Sequence, residues 1–196
     1  MFEIENVVKL ESELGESPRW DADEQAVYWL DIWNSPAVFR FHPATKTFSR
    51  WDPGLPVTGQ ARRASGGFVL ATRTGLYFWD DRTGKSEFIH DPEADNRPVR
   101  FNDGSADRMG RFWAGSTQAD DQFQPAGSLY RMDANLGVHR MAGGLACSGT
   151  ETNSRHARFR MEDALLIARK CIKDARRRPW PTAGPASRTA RRMCSE

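Results

Sequence analysis

Short apolar runs, each led in by a turn-like polar stretch, recur at a fixed interval along most of the chain. They are DADEQAVYWLDI from Asp21, ASGGFVLATRTG from Ala64 and DRMGRFWAGSTQ from Asp107, two steps of 43 residues. Each is followed by a second strand-like run and a hairpin turn into a third: AVFRFHPATKTFSRW, GLYFWDDRTGKSEFI and SLYRMDANLGVHRM, with His42-Pro43, Asp80-Asp81 and Asp133-Ala134 opening the turns. Asp107 to Gly110 is turn chemistry, and Arg111 to Gly115 is half-buried strand chemistry. No helical spacing runs through these units, so they predict three strand-turn-strand-turn-strand copies over roughly residues 20–141. A repeat of about 40–45 residues made of several short strands is the mark of propeller blades. Trp20, Trp29, Trp33, Trp51, Trp79 and Trp113 are then expected as packing between blades. The third copy carries a longer polar link, TQADDQFQPAG, where the others have WNSP and TRTG, which predicts a loop standing out at one end of the blades.

Composition fits one ordinary domain with a real core: 196 residues, 39% hydrophobic and 11% aromatic. The start, MFEIENVVKL, lacks a basic region followed by an apolar one, and no stretch approaches the roughly 18 apolar residues of a membrane span. A soluble, cytoplasmic protein with no membrane partner is expected. Cys147, Cys171 and Cys194 form no C-x-x-C and are odd in number, so neither a zinc knuckle nor a disulfide framework is indicated. His42, His90, His139 and His156 lie far apart without metal-binding spacing, which gives a histidine metal site little support. The absence of G-x-S-x-G, P-loop and dinucleotide fingerprints argues against serine-hydrolase or nucleotide-dependent chemistry. A net charge of +2 conceals a split: residues 1–150 carry 16 basic and 21 acidic side chains, whereas residues 151–196 carry 12 and 5.

The stretch RFNDGSADRMGRFWAGS, Arg100 to Ser116, places an Arg, an Asn and an Asp within four positions at the start of a unit, where binding groups are often carried. Together with LGESPRWD, VYWLDI, GGFVLATRTGLYFWD, NRPVRFNDGSADRMGRFWAGS and GSLYRMD, it resembles the regucalcin, senescence-marker and gluconolactonase family of six-bladed propellers, from about Glu3 to Ser148. The joint presence of L-G-E-x-P and R-x-N-D-G makes the likeness specific. It implies a divalent-metal-dependent hydrolase of sugar lactones or related esters, with the metal at the propeller centre. Such chemistry needs a Lewis acid on the carbonyl or on a bound water, a base for that water, and donors for the sugar hydroxyls. By resemblance Glu16 is a metal ligand, its hard oxygen suited to calcium or magnesium, with zinc, manganese or iron as further candidates. Arg100 and Asn102 match the substrate-contacting pair, since a guanidinium fork and an amide can hold several hydroxyl oxygens. Asp120 aligns with an acidic lid residue that contacts substrate, with Asp121 as its rival. Asp103 reads as a turn-stabilising side chain ahead of Gly104.

The likeness stops abruptly. In the family a CSNG-like stretch after GLA supplies a second metal ligand, and an Asp further on supplies the third ligand and the base. This chain reads GGLACSGTETNSRHARFR, so no catalytic base is carried over, and Asn153, Asp163 and Asp174 do not inherit these roles. The expected division is residues 1–148, half of a gluconolactonase-like propeller, and residues 149–196, a basic tail. In that tail Met161, Leu165, Ala168, Ile172 and Ala175 fall at helical spacing up to Pro179, with disorder expected beyond. A shifted reading frame, a regulatory or nucleic-acid-binding segment and a divergent cap each account for such Arg-, Ala- and Pro-rich text. Only Phe159 and Trp180 interleave aromatics with the charge, which argues against nucleic acid.

The sequence therefore predicts an all-β, incomplete propeller of about three four-stranded blades with a basic, partly helical or disordered C-terminal tail. The expected ancestry is a metal-dependent lactonase acting on a sugar lactone, with metal binding weakened and activity lost in this chain. The alternative is a non-catalytic propeller fragment or an interaction protein with a basic nucleic-acid-binding tail. Exposed blade edges predict self-association.

Overall fold

The structure is a computed structural model and describes residues 6–120 and 124–146. Within them lie β1 (Gly15–Asp21), β2 (Ala26–Asp31), β3 (Ala37–His42), β4 (Thr47–Trp51), β5 (Val57–Arg62), β6 (Phe68–Thr72), β7 (Gly75–Trp79), β8 (Ser86–His90), β9 (Val99–Ala106), β10 (Phe112–Gln118), β11 (Gly127–Met132) and β12 (Val138–Leu145). Consecutive strands pair antiparallel into three four-stranded sheets, β1-β2-β3-β4, β5-β6-β7-β8 and β9-β10-β11-β12. The expected all-β architecture of three blades is present. Among the described residues no helix is long and apolar enough to cross a membrane. The helix expected at Met161 to Ala175, the disorder beyond Pro179, and the residues Asp121 and Cys147 lie outside the described residues.

Aspartates make the hairpin turns. Asp107 Oδ1 accepts the amides of Met109 and Arg111, while its Oδ2 accepts the Trp113 indole N–H at 2.8 Å, so one carboxylate fixes both the turn and the strand after it. Asp80 does the same for Arg82 and Thr83. What the apolar runs do not reveal is the first strand of each blade. β1, β5 and β9 read GESPRWD, VTGQAR and VRFNDGSA, poor in the β-branched and aromatic residues that usually mark strands. They form strands through tertiary contact, since β5 lies against both β1 and β9 and the three line the centre of the blade array. The last strands β4 and β8 are mostly exposed.

Two cores hold the blades together. Ala26, Tyr28, Leu30 and Val38 of the first blade meet Val57, Phe68, Leu70 and Trp79 of the second. Val69, Ala71 and Leu76 on the other side of the second blade meet Phe101, Phe112, Ala114, Tyr130 and Met132 of the third. Strand β6 thus alternates between two cores, which is why all five of its residues are buried. Burial of each large apolar side chain contributes about 1.5–3 kcal/mol. The tryptophans divide. Trp79 and Trp113 are buried as expected and Trp51 packs against the first core, but Trp20 and Trp33 are 53% and 49% exposed. Trp33 stands in the link after β2, with the Arg73 guanidinium over its ring, and Trp29 stacks on Phe39 at 5.3 Å away from the core face. Trp29 is thus set on the outward face of its own blade, whereas Trp33 meets the second blade through Arg73 and Trp20 lines an open cleft with Ala61 and Arg62 of β5 and Ser105 and Ala106 of β9, so both sit between blades without being buried.

Candidate functional site

All three central strands carry a β-bulge. The register slips between Glu16 and Arg19 in β1, between Val57 and Gly59 in β5, and between Gly115 and Ser116 of β10, which leaves Asn102 as the extra residue of β9. A bulge bends its strand and re-aims the side chains beside it. Here two of the three bulges lie at candidate site residues, Glu16 and Asn102. Ser17, just after Glu16, takes a left-handed φ of 54°, the local cost of that re-aiming.

The chain entering β1 is held from below. Asp31 accepts Ser12 Oγ at 2.8 Å and the amides of Glu13 and Leu14 at 3.0 and 3.1 Å. Burial alone would raise its pKa, but these hydrogen bonds outweigh burial and hold the carboxyl below its usual range. Glu16 follows two residues later. Its pKa is raised, first by burial and then by the negative charge of Asp103, with the Ser17 amide opposing both. Carboxylates from β1 and β9 thus sense each other across the centre of the array.

Asp103 is not the turn residue expected from its place before Gly104. It lies inside β9, paired opposite Gly115, and its Oδ1 accepts the Gly104 amide at 2.7 Å. Gly104 is demanded by contact rather than by a turn, because a Cβ there would stand 2.5 Å from Phe112 Cζ. Arg100 is partly buried and its Nη1 donates to the Phe101 carbonyl at 3.0 Å. Arg100 pairs with Thr117 of β10, and Asp120 follows just beyond that strand's end, so the structure gathers Arg100, Asn102 and the base of the Asp120 link on one end of the third blade. Glu16 comes from the first blade, separated from β9 by β5, and the charge of Asp103 adds to the upward shift of its pKa.

The donors gathered here, Glu16 and Asp103 carboxylates and the Asn102 amide, are hard oxygens of the kind calcium and magnesium take. Their number does not suffice. Among the described residues no group of three or more His, Cys, Asp or Glu side chains could hold an ion. The sequence pointed to Glu16, Arg100 and Asn102 but passed over Asp103 and Asp31, for which the R-x-N-D-G motif and the Leu14-Gly15-Glu16 context were the available signals.

The model of the family described as SMP-30/Gluconolactonase/LRE-like region matches residues 14–160. The chain belongs to this family. Within it, the chain is 34% identical over 142 residues to the 6-deoxy-6-sulfogluconolactonase of Pseudomonas putida, covering 72% of this chain and 48% of that protein. It is 34% identical over 140 residues to regucalcin of Xenopus laevis, covering 67% and 45%. Among solved structures it is similar to a calcium-binding regucalcin from Agrobacterium tumefaciens, with a TM-score of 0.64 at 22% identity over 71% of this chain and 46% of that one. A luciferin-regenerating enzyme gives 0.63 at 26% identity over 69% and 47%. The chain spans about half the length of the curated relatives it matches.

Proposed function

We propose that this chain carries the substrate-gripping edge, and one metal-ligating carboxylate, of a divalent-metal-dependent hydrolase acting on a sugar lactone. Arg100 and Asn102 donate to the sugar oxygens, Asp120 accepts from a hydroxyl at the rim, and Glu16 is the one metal ligand, for calcium or a similar ion. The observation that supports this reading is the bulge of β9, which sets Asn102 beside Arg100 and near the base of the Asp120 link at one end of the third blade. Family membership supports the sugar-lactone reading. The described donors alone do not complete a coordination sphere. The chain as written holds substrate without accelerating its hydrolysis. In the same reading residues 1–148 form the propeller half and residues 149–196 a separate basic segment, the protein is cytoplasmic, and open strand edges permit self-association.

The test pairs two measurements on the full chain. Hydrolysis of D-glucono-δ-lactone followed by pH-stat with added calcium is expected at the background rate. Binding of the corresponding lactam, which lacks the labile ester, is expected by NMR and is expected to weaken about tenfold or more in Arg100→Ala, the loss of a charge-assisted donor pair. Absence of lactam binding by the parent chain would refute the gripping role, and efficient calcium-dependent hydrolysis would refute the inactivity.

A further inference from the structure

Glu93 lies in the polar link between β8 and β9, yet it is only 2% exposed. Its Oε1 accepts the Ser116 hydroxyl at 2.6 Å and the Tyr130 hydroxyl at 2.9 Å, and its Oε2 accepts Asn96 Nδ2 at 2.8 Å. Ser116 Oγ in turn accepts the Ser128 amide at 2.8 Å. One carboxylate therefore pins the link to β10 and β11 at once. Burial, against the lowering hydrogen bond of Ser128 and with the hydrogen bond and charge of Glu93, pushes the Tyr130 hydroxyl up to about 12, so it is protonated and can donate near neutral pH.

The place of attachment matters. Ser116 is the β10 residue at which the register slips, directly beside the Asn102 bulge. The link itself is stiffened by Asp91, which accepts the Glu93 amide and the Arg97 guanidinium, and by Arg97 donating to the Val99 carbonyl at 3.3 Å. At its far end the Pro98 carbonyl accepts the amide of Ala119, the residue before Asp120, at 3.1 Å. Arg100 follows two residues after Pro98. The strap from Glu93 to Pro98 thus ends where both Arg100 and Asp120 begin.

We propose that Glu93 is a positioning residue for the sugar-binding edge: by anchoring the strap to Ser116 and Tyr130 it sets the bulge that presents Asn102 and fixes Arg100 relative to Asp120. This rests on the proposed lactone-gripping role. A buried apolar plug would fill the same space, but it would not define orientation, whereas a carboxylate with several directed partners does. Removing it takes the Glu93 acceptor from the Tyr130 hydroxyl and leaves the Ser116 hydroxyl the longer bond to the Ser128 carbonyl at 3.3 Å.

The test compares lactam affinity, melting temperature and amide hydrogen exchange across variants of the full chain. Glu93→Ala is expected to weaken lactam binding about tenfold, while Glu93→Gln, which keeps an acceptor oxygen in place, stays within about twofold. Tyr130→Phe, which removes one donor and keeps the ring in its core, gives an intermediate loss and serves if Glu93→Ala does not fold. Val38→Ala, a cavity in the other core, lowers the melting temperature without changing affinity. Equal affinity in Glu93→Ala, Tyr130→Phe and the parent, or an equal loss in Val38→Ala, would overturn the proposal. If the parent binds no lactam, the gripping role fails and exchange decides: the Ala119 amide should exchange at least about tenfold faster in Glu93→Ala and at the parental rate in Glu93→Gln. Unchanged protection in Glu93→Ala would end the positioning role by itself.

Discussion

Replacing Gly59 with Ala tests how the site is assembled from separate blades. A Cβ at this position would stand 2.0 Å from the Gly104 amide nitrogen, 2.7 Å from Gly104 Cα and 2.8 Å from the Asp103 carbonyl carbon. These are backbone atoms, so no side chain can swing away to make room. To reach an ordinary contact of 3.4 Å from the nitrogen, β5 and β9 must part by 1.4 Å. That separation opens the core in which Ala61 and Ala71 meet Phe101 and Phe112. Overpacking of this kind costs about 1–3 kcal/mol, and the backbone nature of the clash places Gly59→Ala at the upper end of that range. The displaced atoms belong to Asp103 and Gly104, so Asn102 is carried along and lactam affinity should fall with stability. Urea unfolding measures the first and NMR titration the second. Gly54→Ala provides a comparison, because nothing lies within 4 Å of a Cβ there, although its φ of 65° adds backbone strain. A Gly59→Ala chain as stable as the parent to within about 0.5 kcal/mol would refute the close approach of the two strands.

Further outcomes follow from the same geometry. The raised pKa of Glu16 means that its ionised form weakens the native state as pH climbs from the unfolded value of 4.5 through the folded one; Glu16→Gln should therefore be more stable than the parent near pH 7, by less than about 1 kcal/mol given partial exposure, and lose that advantage below pH 4.5. Equal pH–stability curves for the two chains would remove the carboxylate repulsion. Titration calorimetry with calcium should give a dissociation constant of about 10⁻⁴ M or weaker, since the described oxygens fall short of the six to eight that calcium takes; submicromolar affinity lost in Glu16→Gln would show a fuller site. Reading the coding DNA past Ser148 in the other two frames should reveal an Asn-Gly pair followed by strand-rich blade text, and its absence from both frames would exclude a frameshift as the origin of the tail.

Much of the blade architecture was legible because it rests on local chemistry. Hairpins opened by Asp80, Asp107 and Asp133 and followed by apolar strands announce themselves, and the 43-residue interval counts the blades. The central strands were harder to see, since bulges at Ser17, Thr58 and Asn102 interrupt any alternation and their neighbours are strands distant in sequence. Asp103-Gly104 carried turn chemistry that tertiary packing overrode, the glycine being needed against Phe112 and Gly59. Glu93 in DPEADNRP looks like a solvated loop acid; only the fold brings Ser116 and Tyr130 to it, from 23 and 37 residues away. Trp20 and Trp33 stand between blades yet stay half exposed, as aromatic bulk alone does not say how far a contact is buried.

If the proposed site holds, its distribution over the blades separates gripping from activation. Arg100, Asn102 and Asp120 all belong to the third blade and keep their relative geometry through pairing of β9 with β10 and through the Glu93 strap. Glu16 belongs to the first blade, and its distance from that group is set by two inter-blade cores and by the Gly59 contact. A sugar held by the third blade alone is bound equally well before and during ester cleavage, and uniform binding gives no rate. Acceleration requires a charge fixed at the carbonyl and a base within reach of water, both referenced to the same sugar. Within the described residues Glu16 of the first blade carries a raised pKa, first from burial and then from the charge of Asp103 in the third, and no group of carboxylates, histidines or cysteines completes an ion site beside them.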